Sequence, residues 1–264
     1  MTPLTDILSR MSPISLSEME AVKLMNRLDT KYVTSMAHVR QVLLLAANQY
    51  FVQEIGGERI AAYDTLYYDT PALAMYIEHH NRRLVRQKVR IRRYIGSQSN
   101  LSESGDLTFL EIKNKDNRGR TKKKRIEVIN QAVLASPSDE VSAFMKKRCR
   151  YSCEQLLPQL RTVFRRITLV SKQKNERLTV DFALHWSNIH TGREVQLEPL
   201  VIIELKRDGL TYSPMADILR QLRIKPMKIS KYCIGTALTN PDVKQNRFKQ
   251  KIRKIQRILT DENT

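Results

Sequence analysis

The sequence is poor in acidic residues, in aromatic residues and in cysteine. Its 264 residues include 27 Asp and Glu against 46 Lys and Arg, which gives a net charge of +19 at pH 7. A polyanionic partner would relieve the repulsion among so many positive charges, and nucleic acid, an anionic membrane and inorganic phosphate chains all qualify. Aromatic residues make up only 6% of the chain. Because nucleic-acid modules stack bases on aromatic side chains, we expect no DNA partner.

Cysteine pairs and long apolar runs are also missing. The three cysteines are an odd number, which argues against a disulfide framework and fits a reducing compartment. Cys149 and Cys153 have no second Cys or His pair at metal-binding spacing beside them, so we expect buried thiols. The longest apolar run, residues 42–47, is far shorter than the roughly 20 residues of a membrane span, and the N-terminus lacks the apolar core of a signal peptide. These absences predict a soluble, cytoplasmic protein.

No internal repeat and no linker rich in proline or glycine divides the chain, so we predict one domain over residues 1–264. It comprises a helical lead-in over 1–23, a core over 24–238 and a basic C-terminal helix over 239–264. Within the core, the segment KISKY at 228–232 is predicted to begin a final strand.

The basic tail carries an apolar stripe. Phe248, Ile252, Ile255 and Leu259 fall on one face of a predicted helix, and Lys and Arg surround them. This pattern predicts a helix docked on the rest of the domain. A role at a membrane surface or at the mouth of a tunnel is the alternative.

Several predicted strands alternate charged and apolar residues. In residues 86–95, Lys88, Arg90 and Arg92 share one face and apolar residues lie between them. The charged positions recur from strand to strand at Lys31, Arg90, Arg92, Lys113, Arg125, Arg177, Glu204 and Lys206. A half-exposed sheet explains any one such strand, but a sheet of many charged strands would have two edges to protect, and closure removes them. We predict an α+β fold: a closed antiparallel β-barrel of about eight strands, with helices outside and a cationic lumen around an anion.

Seven short motifs, in this order, carry a resemblance to a known family. They are RLDTKY (27–32), YYDT (67–70), KVRIRRY (88–94), FLEIKNK (109–115), RLTVDF (177–182), VIIELKRDG (201–209) and KISKY (228–232). Over about residues 24–236 the chain resembles the vacuolar transporter chaperone (VTC) domain, the polyphosphate polymerase branch of the CYTH-like triphosphate tunnel metalloenzymes. The resemblance implies transfer of the γ-phosphoryl of ATP or another nucleoside triphosphate onto inorganic polyphosphate. It also implies a divalent metal, manganese by preference and magnesium as the alternative.

The resemblance also implies roles for individual residues. It assigns catalysis to Lys31, Arg90, Arg92, Lys113, Glu204 and Lys231, with Glu204 as the metal ligand. It assigns phosphate binding to the five basic residues of that set and to Lys124, Arg125, Arg166, Arg177, Lys206, Lys228 and Ser230. Arginine forks suit pairs of phosphate oxygens and lysines act as point charges, so these residue types fit phosphoryl transfer.

One motif departs from the wider superfamily. Other branches, such as adenylate cyclases and thiamine triphosphatases, begin with Glu-x-Glu-x-Lys, whereas this chain has Arg27, Asp29 and Lys31. The lost carboxylate weakens the case for a two-metal hydrolase and favours a longer anion. Two alternatives stay open: a tunnel triphosphatase or cyclase that acts on short triphosphates, and a non-catalytic binder of polyphosphate or nucleic acid. Membrane coupling would require a separate subunit as partner.

Other polar residues receive structural predictions. Asp69 and Thr70 are expected to form a turn and helix cap, and Asp181 to orient an arginine. His79 and His80 lie on a predicted helix, and we interpret them as surface or capping residues.

Overall fold

The computed structural model describes residues 3–20, 22, 27–95, 107–209 and 211–261. The remaining parts of the predicted segments, which are residues 1, 2, 21 and 23 of the lead-in, 24–26, 96–106 and 210 of the core and 262–264 of the tail, lie outside the described residues. The strands are β1 Pro13–Ile14, β2 Arg27–Ser35, β3 Tyr50–Gln53, β4 Ala61–Asp69, β5 Arg86–Ile95, β6 Leu107–Lys115, β7 Thr121–Glu127, β8 Leu157–Ser171, β9 Glu176–Asn188, β10 Glu194–Leu197 and β11 Leu200–Asp208. The helices are α1 Leu4–Ser9, α2 Leu16–Glu20, α3 Met36–Ala46, α4 Ala74–His80, α5 Asp139–Arg148, α6 Pro214–Gln221, α7 Lys231–Thr239 and α8 Lys249–Asp261.

Eight strands form one strongly curled antiparallel sheet in the order β2-β11-β9-β8-β4-β5-β6-β7. The short strands β3 and β10 pair with β8 and β9, and β1 pairs with β3 in parallel. The α+β class and the antiparallel sheet of about eight strands predicted from the alternation are therefore confirmed.

The two ends of this sheet are not joined by backbone pairing in the described part of the chain, so the sheet forms a half-barrel. A different segment protects the free edge of β2. Tyr32 bridges Pro226, and the backbone N–H of Met227 donates to the carbonyl of Lys31 over 2.8 Å. This segment occupies hydrogen-bonding groups of β2 that β7 would need, so the predicted closure into a full barrel is not seen in the described part of the chain.

Apolar side chains on the convex face are covered by helices, as predicted. Helices α1, α3 and α6 pack over β2, β8, β9 and β11, and α5 packs over β5 and β6. Serine side chains start two of these helices. The hydroxyl of Ser138 accepts from the N–H of Val141 at the start of α5, and that of Ser213 accepts from Ala216 at the start of α6.

The concave face holds a helix that the sequence did not predict. The expected final strand from 228 is instead α7, and Ser230 caps it by accepting from the N–H of Cys233. Its apolar side chains pack against inward-facing residues that we call the apolar half of the lumen: Val33, Leu160, Leu184, Trp186, Leu200 and Ile202. A Cβ at Gly235 would lie 2.2 Å from Trp186 Cδ1, so only glycine permits this approach.

The basic tail helix α8 is docked. Phe248 and Ile255 are buried, and Ile252 and Leu259 pack against the same apolar cluster as α7. This arrangement agrees with the docked-helix prediction. Among the described helices, none has the length and apolar character needed to cross a membrane.

Two of the remaining structural predictions concern a helix cap, Asp69, and a histidine, His80. Asp69 accepts from the backbone N–H groups of Met75 and Tyr76 in α4, as a cap should, and also from the Tyr232 hydroxyl. His80 is 1% exposed, so the interpretation of this residue as a surface group is wrong. Its ring is buried because Phe248 packs edge-on against it, with ring centroids 5.4 Å apart.

Candidate active site

Inward-facing positions of seven strands and the start of α7 together form a charged group that we call the lumen cluster. Its cations are Lys31, Lys88, Arg90, Arg92, Lys113, Lys123, Arg166, Lys206 and Lys231, and its carboxylates are Glu111, Asp181 and Glu204. Adjacent residues of α7 reach strands that are not neighbours in the sheet: Ser230 contacts Lys88 on β5, and Lys231 contacts Asp181 on β9. The charged side chains of separate strands therefore converge on one space, on the concave face of the half-barrel.

Glu111 binds two cations at the β5–β6–β7 side of the cluster. Its side chain is fully buried; Arg90 Nε donates to it over 2.7 Å and Lys123 Nζ over 3.0 Å. Burial alone would raise the pKa of Glu111, but the positive charges of Arg90 and Arg92 outweigh it and hold the pKa far below the usual range. Glu111 is therefore a carboxylate at any physiological pH.

Asp181 plays the same part on β9. Arg166 donates to both carboxylate oxygens of Asp181: Nε donates to Oδ1, and Nη2 donates to Oδ2 over 2.8 Å. Lys231 Nζ also donates to Oδ2. Burial opposes ionisation, but these two cations lower the pKa of Asp181 far below the usual range. Burial in turn lowers the pKa of Lys231 to about 8. Asp181 orients an arginine, as the sequence suggested.

Glu204 on β11 is the third shared carboxylate. Lys31 Nζ lies 2.7 Å from Oε1 and Lys206 Nζ lies 3.1 Å from Oε2. Burial would raise its pKa, but the charges of Lys206 and Lys31 lower it well below the usual range. At 20% side-chain exposure, Glu204 is the most accessible of the three carboxylates.

Three cations of the cluster bind no carboxylate among the described residues. Lys88 donates to the Ser230 hydroxyl over 2.8 Å, and Arg92 donates to the Thr65 hydroxyl over 3.1 Å. The pKa of Lys113 is lowered well below its usual value, chiefly by the charge of Arg90 and then by burial. With nine cations against three carboxylates, the lumen has an excess of six positive charges in poor solvent, which a polyanion would neutralise.

Aromatic rings and hydroxyls fill the space between the cations. Tyr63 stacks on Phe164 at 5.2 Å, and the guanidinium of Arg92 lies over both rings. The Tyr67 hydroxyl is 3.5 Å from Arg90 Nη1; although burial would raise the pKa of this phenol, the neighbouring cations lower it. Thr179 Oγ1 faces inward in register with Glu204 and is buried without a hydrogen-bond partner in the described residues, so it is available to a ligand.

Most of the residues named from the sequence meet in this space. Lys31, Arg90, Arg92, Lys113, Arg166, Glu204, Lys206, Ser230 and Lys231 all lie in or against the lumen cluster. Alternation in the sequence placed Lys88 at an inward position but did not include it in the site, and Lys123 on β7 belongs to the cluster as well. Tyr63, Tyr67 and Thr179 were missed, because apolar or hydroxyl side chains at inward positions give no charge signal.

Four predicted phosphate-binding residues are not in contact with the lumen cluster, for different reasons. Lys124 is in register with the buried Ile112 and therefore faces away from Lys123 and the lumen. Arg125 and Arg177 lie at inward positions, in register with Glu111 and Lys206, but have other partners. The Arg125 guanidinium lies 4.4 Å above the Phe109 ring, and Arg177 donates to the carbonyl of Met19 over 2.7 Å. Lys228 lies near the start of β5; together with Arg86 its charge lowers the pKa of Lys115, after burial.

A divalent metal ion fits this site through a single carboxylate, with phosphate oxygens as its other ligands. The described residues contain no group of three or more His, Cys, Asp or Glu side chains that could form a protein cage. Glu204 is ionised and partly accessible, and a single carboxylate is enough where phosphate oxygens complete the coordination of Mg²⁺ or a similar ion. Of the three carboxylates in the lumen cluster, Glu204 would therefore hold the metal.

Comparison with known proteins finds one matching family and similar solved structures. The family model of the VTC domain matches residues 26–240. A protein from Bacillus halodurans, described as an adenylate cyclase, is 16% identical and has a TM-score of 0.49, over 78% of this chain and 96% of that one. A Hippeastrum protein, described as an adenylyl cyclase with a dominant triphosphatase activity, is 14% identical and has a TM-score of 0.47, over 81% and 96%. No curated protein matches the sequence.

Proposed function

This chain belongs to the VTC domain family, and we propose that it is a polyphosphate polymerase that transfers the γ-phosphoryl of a nucleoside triphosphate, such as ATP, onto a growing polyphosphate chain. The proposal depends above all on the excess of six positive charges in the lumen cluster. Such a cluster suits a ligand with several charges close together. It does not suit a single phosphate or a neutral metabolite.

In the proposed mechanism the lumen exchanges its own carboxylates for phosphate oxygens. Arg90, Arg92 and Arg166 are placed to take non-bridging oxygens in pairs, and the lysines act as point charges. Phosphoryl transfer has a loose transition state, so alignment and charge stabilisation provide most of the catalysis. The α7 N-terminus adds the partial positive charge of a helix end beside Ser230 and Lys231.

The attacking group would be the terminal phosphate of the chain. Its oxygen is already ionised at neutral pH, so no side chain has to remove a proton. A divalent ion on Glu204 and the phosphates, manganese or magnesium, would supply further charge neutralisation. Lys31 and Lys206, which bind Glu204 in this structure, would then turn to phosphate oxygens.

A tunnel triphosphatase or cyclase is the second candidate, and one observation favours it. Because α7 fills the apolar half of the lumen, a bound anion meets a closed end there, which suits a short triphosphate. A second observation argues against this candidate. Arg27 Nε lies 2.7 Å from Asp29 Oδ1, so Arg27 already neutralises the carboxylate at the position where other branches have a metal-binding one. This pairing favours the polymerase.

A single incubation separates these candidates. The protein is given ATP and Mn²⁺, and the products are run on a gel stained for polyphosphate beside a free-phosphate assay. A ladder of chains supports the polymerase, phosphate release without chains supports the triphosphatase, and tight polyphosphate binding without turnover supports a binder.

Glu204→Gln is the matched variant for that incubation. It should abolish metal-dependent turnover and preserve binding of tripolyphosphate, because the lumen stays cationic. Full turnover by Glu204→Gln would remove the assigned metal role.

A further inference from the structure

A second basic region lies outside the lumen cluster, where α4 leads into β5. An open cavity of about 850 Å³ is lined there by Arg82, Arg83 and Arg247, together with Asn81 and Asn117. We call it the rim cavity. It combines the turn after α4, the turn between β6 and β7, and the segment before α8.

The charge of the rim cavity is strongly positive. Arg150 also lines it, but both of its terminal nitrogens bind the carboxylate of Glu78, over 2.9 and 2.7 Å, so this pair is neutral. Arg82, Arg83 and Arg247 are exposed, and no acidic side chain of the described residues lies within ion-pair distance of them. Three positive charges thus remain for a ligand.

The turn that presents two of these arginines is firmly held. The N–H of Arg82 donates to the carbonyl of His79 over 3.1 Å, and that of Arg83 donates to Glu78 over 3.0 Å. Arg82 has a φ of 60°, in the left-handed region that costs a non-glycine residue about 1 kcal/mol or more. A long cationic side chain is kept at a position where glycine or asparagine would be less strained.

Positive charge continues from the lumen cluster to this cavity. Burial lowers the pKa of Lys251 on α8, and the charges of Arg82, Lys228 and Arg86 lower it further. Burial likewise lowers the pKa of Lys115 at the end of β6, helped by Arg86, Lys228 and Lys88. Arg86 is in register with Lys115, and Lys88 of the lumen cluster is the next residue of β5 on the same face, so basic residues lie between this cluster and the turn that holds Arg82.

His79 of α4 adds no positive charge beside these cations. Burial lowers the pKa of His79 to about 2, and the charges of Lys88 and Arg86 contribute. His79 is therefore neutral, and the positive charges of this region are those of lysine and arginine. A ligand with one phosphate could contact few of them, whereas a linear polyanion could contact many.

From this arrangement we propose that the rim cavity is an outer binding site for polyphosphate, which holds phosphates of a chain that extends beyond the lumen cluster. The inference rests on the proposed function, because it takes the same chain to occupy the lumen. A single-stranded nucleic acid is a poorer match, since none of the described residues that line the cavity has an aromatic side chain for base stacking.

The test compares long and short ligands on one triple variant: Arg82→Asn, Arg83→Gln and Arg247→Gln. Asparagine is chosen at position 82 because it tolerates the left-handed conformation. By calorimetry, long-chain polyphosphate should bind about tenfold or more weakly than to the unaltered protein, with a shallower salt dependence, because charge contacts to phosphate are lost. Tripolyphosphate, which fits within the lumen cluster, should bind within about twofold of the unaltered protein.

A matched control removes three exposed cations from other elements: Arg10→Gln at the end of α1, Lys172→Gln after β8 and Arg193→Gln after β9. An equal loss of long-chain binding in the control would overturn the proposal, because general charge would explain the result. So would an equal loss of tripolyphosphate binding in the triple variant. Weaker ATP binding with unchanged long-chain binding would instead mark a nucleoside site and overturn it.

The proposed function fails in a different way. If the unaltered protein binds neither ligand, both the polymerase and the outer site are refuted. If it binds tripolyphosphate and the long chain equally tightly, only the outer site is refuted, and the gel assay for chain synthesis still decides the function.

Discussion

The two halves of the lumen share several strands but have opposite chemistry. Along β11 the inward side chains run from Lys206 and Glu204 to Ile202 and Leu200, and along β2 from Lys31 to an apolar residue. One half presents unbalanced cations, and the other is filled by α7. Strands β2 and β11 therefore take part in both ligand binding and folding, and the division between the two roles runs across them.

This division predicts different consequences for mutations in the two halves. The apolar half contributes burial, so damage there should lower folding stability whether or not a ligand is present. The charged half contributes repulsion among its cations when no anion is bound. A substitution there should therefore change folding stability and ligand affinity in opposite directions, or change only one of the two. The following variants test this contrast.

Trp186→Ala should have the largest effect, because Trp186 is fully buried between β9 and α7. Loss of its ring leaves a cavity and should lower the free energy of unfolding by about 3–5 kcal/mol. Thermal unfolding in the absence and presence of tripolyphosphate measures this, and the loss should be similar in both. Trp186→Phe is the milder control; a loss that disappears on ligand addition would contradict the division.

Glu111→Gln should come next and should act through the ligand-free state. The variant leaves Arg90 and Lys123 without their buried carboxylate, which should lower stability by about 3 kcal/mol without ligand. Tripolyphosphate should bind more tightly than to the unaltered protein, because one negative charge has left the lumen. Weaker binding by Glu111→Gln would show that the carboxylate positions Arg90 for the ligand rather than competing with it.

The faces of the strands could be predicted from the sequence. Alternation in residues 86–95 places Arg90 and Arg92 on one side, and the same argument holds for Lys113 and for Glu204 with Lys206. On β7 the family motif names Lys124 and Arg125, whereas parity with Lys113 selects Lys123.

The apolar half could not be predicted in this way. Inward residues such as Ile202 and Leu200 look like ordinary core residues, and nothing local shows that a helix will fill the concave side. The sequence analysis predicts a final strand from 228, but the Ser230 cap and the close contact of Gly235 with Trp186 favour α7 instead. Both depend on tertiary contacts between distant parts of the chain.

Arg92→Met should affect binding and leave folding almost unchanged. Arg92 binds no carboxylate among the described residues, and burial lowers its pKa, with help from the charge of Arg90. Its removal should weaken tripolyphosphate binding by about 2 kcal/mol, the value of one charge-assisted hydrogen bond, with little change in melting temperature. A large fall in melting temperature with intact tripolyphosphate binding would instead show that Arg92 stabilises the fold, as the residues of the apolar half do.

The smallest effect should be a pH dependence that comes from Lys231, whose pKa is lowered to about 8 by burial. An anion favours the protonated amine and raises this pKa, so binding above pH 8 takes up a proton, and affinity for ATP should fall by at most about tenfold per pH unit. In the ligand-free protein the sign is reversed: between pH 8 and the unfolded-state value of 10.5 the folded chain binds fewer protons, so this group makes folding more favourable as pH rises. Lys231→Arg keeps its charge and should remove the change in ATP affinity near pH 8, as measured by calorimetry. If the arginine variant kept the same pH profile, another group would control it, and Lys231 would belong with the structural contacts of α7.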